Sequence, residues 1–164
     1  MNATHIVYES NTGFTARYAA ILSEKLGIPA QRLADALSAL PAGTPVIHMG
    51  WLMAGSVSGF KKAARRFAVT AVIGVGLGDT GSQDDAVRKS CKLPADVPVF
   101  TVQGGMDRAR LKGGYKLGIS LLTKAMSAKK NRTPDEDRML ELLIKGGDYV
   151  SEKELAAVLA WAGK

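Results

Sequence analysis

The chain predicts a single α/β domain: a five-stranded parallel sheet in three layers, with helices on both faces. Two observations carry this. Short β-branched apolar runs alternate with amphipathic or capped helical stretches, the pattern of a doubly covered parallel sheet. The 164 residues, 46% hydrophobic and 23% charged, suit one globular core. We therefore treat 1–164 as one domain.

The elements follow in order. Thr4 to Tyr8 reads as the first strand, and Phe14, Tyr18, Leu22 and Leu26 then recur every four residues as one helix face. Gly27 and Pro29 stop that helix. A short strand is expected near Ala30 to Leu33, a third at Pro45 to Met49, a fourth at Val69 to Val75 and a fifth at Val97 to Val102. The helix after strand three spans Gly59 to Phe67. The next, near Ser82 to Cys91, has Ser82 as its expected cap and Asp84 and Asp85 in its first turn. Thr133-Pro134-Asp135-Glu136 and Ser151-Glu152-Lys153-Glu154 read as capping boxes, and Gly146-Gly147 ends the helix that the first one starts.

Ser10-Asn11-Thr12-Gly13-Phe14-Thr15 joins the first strand to the first helix. Free N–H groups of a helix N-terminus and its dipole favour an anion, hydroxyls of Ser10, Thr12 and Thr15 add donors, and Gly13 allows close approach. A βα turn needs a cap in any case, but three hydroxyls and a glycine exceed that need. No Gly-Lys-Ser/Thr follows and the turn is not Gly-x-Gly-x-x-Gly, so a monophosphate fits better than a nucleoside triphosphate or a dinucleotide.

The same residues resemble the Ser/Thr-x-Thr-Gly-x-Thr phosphate loop of flavodoxins, which hold the FMN phosphate with hydroxyls and amides. Gly50, Trp51, Leu52, Met53, Ala54 and Gly55 lie where many of that family place an aromatic residue against the flavin ring. Gly76, Leu77, Gly78, Asp79, Thr80 and Gly81 resemble the loop along the polar edge of the isoalloxazine. The resemblance implies FMN as cofactor, these residues apart from Ala54 as its binding set, and the sheet order 2-1-3-4-5. In such an open sheet a ligand sits outside the carboxyl ends of the strands, where the winding reverses, and the loops after strands one, three and four meet there. Asp79 is expected to bind rather than catalyse, and no side chain stands out as a catalytic acid or base.

Gly76-x-Gly78-x-x-Gly81 also spells a dinucleotide fingerprint, but it follows the fourth strand. No acidic residue closes a second strand after it, so NAD is disfavoured. Trp51 weighs toward ring contact, Trp161 toward packing. His5 and His48 have no partner at metal spacing and read as structural, and no metal site is expected. Cys91, the only cysteine, reads as a small hydrophobe or incidental thiol. With no secretion signal and no apolar stretch approaching about eighteen residues, the expected location is cytoplasmic.

Charge is uneven. Residues 1–107 carry ten basic and eight acidic side chains and 133–164 four and seven, whereas 108–132 carries eight basic and none acidic. Those eight are Arg108, Arg110, Lys112, Lys116, Lys124, Lys129, Lys130 and Arg132. Carrier flavodoxins are typically acidic, so this departs from them. Val102-Gln103-Gly104-Gly105-Met106-Asp107 and Lys112-Gly113-Gly114-Tyr115 instead resemble the flavodoxin-domain proteins that include quinone-linked protoporphyrinogen oxidases. That resemblance implies a flavin oxidoreductase acting on an acidic, tetrapyrrole-type substrate. The alternative is a single-electron carrier to a partner protein, and a third reading is a cofactor-less adaptor. For 108–132 itself, a solvated face with a flexible tip at Ser127 to Arg132 competes with peripheral contact at an inner membrane surface. Tyr115, Leu117, Ile119, Leu121, Leu122 and Met126 would supply the apolar part of that contact. No nucleic-acid reading motif is present, so specific binding of nucleic acid is not expected.

Overall fold

A computed structural model describes residues 2–53, 55–111 and 113–164, apart from the side chain of Tyr115. Ala54 in the second predicted loop, and Lys112 and the Tyr115 side chain in the basic segment, therefore lie outside the described residues.

The chain forms β1 (His5–Glu9), α1 (Phe14–Leu26), β2 (Ala30–Arg32), α2 (Leu33–Ala39), β3 (Pro45–Met53), β4 (Ser56–Val57) and α3 (Phe60–Arg66). There follow β5 (Ala68–Gly76), α4 (Asp84–Cys91), β6 (Val99–Gln103), β7 (Gly105–Met106), α5 (Gly113–Ala128), α6 (Pro134–Lys145) and β8 (Gly147–Asp148). A 3-10 turn, Glu152–Leu155, leads into α7 (Ala156–Ala162). The main sheet runs β2-β1-β3-β5-β6 with every pairing parallel, and β4 folds back antiparallel on the end of β3.

Strand periodicity divides the core. Ile6, Ile47 and Ile73 face α1 and α7, packing with Tyr18, Leu22 and Val158. Their neighbours Val7 and Val46 face α2 and α3 beside Leu33, Ala36, Ala63 and Phe67, and Val72 packs with Val57, Val87 and Val99 under α4. The central strands β1, β3 and β5 are thus apolar on both faces, as a parallel sheet between two helical layers requires. Trp161 packs on Phe100, the rings tilted by 50° with centroids 5.8 Å apart.

Several sequence expectations change. Trp51, Leu52 and Met53 are strand rather than loop: β3 continues to Met53, with Trp51 opposite Val75 of β5 and Leu52 opposite Val57 of β4. Gly50 permits this, because a Cβ there would collide with the Ser58 carbonyl of the folded-back chain. Ser82 does not cap α4; its Oγ donates to the Asp79 carbonyl, and Gln83 stands at the cap with no side-chain bond. The Thr133 to Glu136 capping box forms as expected; Ser151 stands at the N-cap of the 3-10 turn, but its side chain makes no capping bond. Glu154, whose carboxylate would complete that second box, accepts the Thr80 hydroxyl instead.

The sheet is also followed by a ribbon that the sequence does not announce. β7 and β8 pair antiparallel, Gly105 opposite Asp148 and Met106 opposite Gly147, and the α5–α6 hairpin lies between them in sequence. The segment 127–132 closes that hairpin. Arg132 pairs with Asp137 at 2.6 Å and donates to the carbonyls of Met126, Ser127 and Lys129, and Lys129 pairs with Glu136 at 2.6 Å.

Candidate functional site

The end of β1 delivers Ser10 to Thr15 to the carboxyl edge of the sheet. Gly13, at φ +101, is the N-cap of α1, and its N–H donates to Ser10 Oγ at 3.2 Å. The first α1 bond runs from Arg17 N–H to the Gly13 carbonyl at 3.0 Å. Helix geometry then leaves the N–H groups of Phe14, Thr15 and Ala16 without an intrahelical acceptor. Ser10 therefore shapes the turn, while the helix dipole and those three amides face whatever lies beyond it.

Parallel pairing brings the second and third loops beside the first. A cleft of about 460 Å³ is lined by Asn11, Thr12, Phe14 and Thr15 from the first, by Trp51, Leu52, Met53 and Gly55 from the β3–β4 hairpin, and by Gly76 and Leu77 after β5. Ten of the seventeen predicted residues thus share one cavity, of a size usual for small-molecule sites. Gly74 and Gly76 make room for the Leu52 side chain, which a Cβ at either position would press.

The other seven do not line it. Ser10, Gly13 and Gly50 serve the backbone as described. Gly78, Asp79, Thr80 and Gly81 turn away because β6 holds their loop: Gly81 N–H donates to the Thr101 carbonyl at 2.9 Å, and Gln103 N–H to Thr80 Oγ1 at 3.0 Å. Asp79 lies at the surface, 3.6 Å from Arg138.

Sequence reading also missed a wall. Leu111, Gly114, Gly118, Ile119 and Leu122, with Met139 of α6, cover the cleft from the α5–α6 side. The signal was there in part, since Gly114, Gly118 and Leu122 recur every four residues on one helix face. Nothing in that spacing says which part of the chain the face covers. The described lining is hydroxyl, amide and flat apolar surface, with no titratable side chain among the described residues.

No family model, curated protein or solved structure matches the chain.

Cations stand around this cleft rather than in it. Arg108 donates to the Leu143 carbonyl at 3.0 Å, and Lys129 and Arg132 are paired within the hairpin. Lys116, Lys124 and Lys130 are exposed. Behind the site two buried groups titrate far from their usual range. Burial pushes the His48 imidazole down to about 4, with Nε2 donating to the Ser58 carbonyl at 2.9 Å. Burial likewise pushes the Tyr18 hydroxyl up to about 12, and that hydroxyl donates to the Gln103 carbonyl. Neither side chain lines the cleft.

Proposed function

We propose that the protein is an FMN-dependent redox protein of flavodoxin-like fold, acting as a flavin oxidoreductase on a small acidic substrate of tetrapyrrole type. One observation carries the reading: a single cleft joins the hydroxyl-rich start of α1 to the Trp51 hairpin and the turn after β5. The strand order β2-β1-β3-β5-β6 supports it, since the winding reverses beside β1 and β3, where the cleft lies.

The residues fit the group. Phe14, Thr15 and Ala16 amides with the Thr12 hydroxyl suit a phosphate at one end. Trp51, Leu52 and Leu77 offer flat apolar surface to a ring, and Asn11 and Gln83 offer polar side chains. FMN, when bound, supplies hydride and electron transfer. The lining would orient it and exclude water, and α5 would shelter the reacting face. This cover favours an oxidoreductase over a carrier, which must present its ring to a docking protein. The positive segment 108–132 would act by long-range steering of an anion more than by contacts inside the cleft.

No described helix is long and apolar enough to cross a membrane. Leu117 and Leu121, 64% and 60% exposed on α5 beside Lys116 and Lys124, support peripheral contact with an anionic membrane surface.

Titration with FMN, followed by quenching of flavin fluorescence, tests the central reading. The expected outcome is one FMN per chain. A protein that leaves added FMN fully fluorescent removes it, in favour of the cofactor-less adaptor.

A further inference from the structure

The Ser10 to Thr15 loop offers hydroxyls and amides, and a cation lies against it. Arg110, in the turn between β7 and α5, donates from Nη1 to the Thr12 carbonyl at 3.4 Å. A Cβ on Gly13 would come within 3.2 Å of the same nitrogen. The guanidinium therefore rests on backbone at the mouth of α1, with no side chain of Gly13 between them.

Its direction is fixed from the other side. Asp107 Oδ2 holds Arg110 Nε at 3.1 Å, while Asp107 Oδ1 accepts the N–H groups of Ala109 at 3.0 Å and Arg110 at 3.3 Å. One carboxylate thus folds the turn and aims the fork. The Arg110 side chain is 66% exposed, so its pairing with Asp107 contributes little to stability, and a long bond to one carbonyl adds little more. A guanidinium matches a phosphate far better, since two parallel N–H groups can meet two oxygens, each bond strengthened by charge.

We propose that Arg110 is the phosphate-binding cation of the mononucleotide site, aimed by Asp107, and that it makes the cleft select FMN over riboflavin. The inference rests on the FMN reading and deepens it. It also gives the basic segment a specific task at the cofactor: Arg110 leads directly into the helix that covers the cleft.

The test is a titration of the wild-type protein, Arg110→Ala and Arg110→Lys with FMN and with riboflavin, read by fluorescence quenching. Wild type should prefer FMN by about tenfold or more, the worth of one charge-assisted contact to the phosphate. Arg110→Ala should lose about tenfold or more in FMN affinity and leave riboflavin within about twofold, as expected for a charge-assisted bond to the phosphate alone. Arg110→Lys, which keeps the charge without the fork, should fall between. Equal loss for both flavins, an unchanged FMN affinity, or a wild type that binds both flavins alike would overturn the proposal while leaving the flavin site standing. A wild type that binds neither flavin removes both readings.

Discussion

His48 shows how much of this protein's pH response one side chain can set. It stands in the middle of β3, fully buried and held neutral, with its pKa pushed down to about 4 against about 6.5 in an unfolded chain. The unfolded state therefore binds the extra proton first, and stability falls as pH drops below about 6.5, until the folded state also protonates near 4. The full effect is about 3 kcal/mol, of which about 2 kcal/mol is lost by pH 5. The carboxylates of Glu136, Glu141 and Asp148, held low by Lys129, Lys145 and Arg17, lose their pairings further down the scale. Urea midpoints at pH 7 and pH 5 should differ accordingly in the wild type. His48→Gln, which can still donate to Ser58, should flatten that difference.

At the scale of the element, α5 is the unusual one: no described residue in its sixteen is buried, and two glycines stand on the face toward the cleft. Glycine costs a helix about 1 kcal/mol each, so α5 depends on its neighbours, chiefly the α6 start capped by Thr133 and Glu136. Its outer leucines and lysines should bind vesicles containing anionic lipid and ignore zwitterionic ones in co-sedimentation. Leu117→Glu with Leu121→Glu should abolish that binding without touching FMN affinity. Elements of this kind divide by how they could be read. α1 was legible because its apolar residues repeat and its ends carry glycines, all local facts. β4, β7 and β8 are two residues each, too short for any period, and exist only because distant backbone lies alongside. Trp51 to Met53 read as loop between Gly50 and Gly55, yet strand geometry there is imposed by β5 and β4. The box at Ser151 does not close, and Thr80, far away in sequence, takes the Glu154 carboxylate that would complete it.

For the whole molecule, the site was legible where it lies on consecutive strand ends and illegible where it depends on what folds over them. Ser10 to Thr15, Trp51 and Gly76 reach one cleft because parallel strands put their carboxyl ends on one edge. Leu111, Gly118 and Met139 reach it through a tertiary docking that carries no local signature. The uneven charge count was correct as arithmetic, but Arg108, Lys129 and Arg132 turn out to hold the hairpin together. Replacing 107–146 by an Asn-Gly turn, which suits a two-stranded ribbon, should leave a chain that unfolds cooperatively with most of its strand signal in circular dichroism. FMN should bind it more weakly, since the cover and Arg110 are gone; loss of cooperative unfolding would show instead that the sheet needs the hairpin. The β7–β8 ribbon is what makes such surgery conceivable. Met106 and Gly147 face one another, so the chain leaves the body and returns through the same doorway. If the shortened chain still unfolds cooperatively, whatever is strung between those two residues can lengthen, shrink or be exchanged without loss of the sheet. On that outcome the ribbon is the boundary between the part of the protein that folds and the part that covers the cleft.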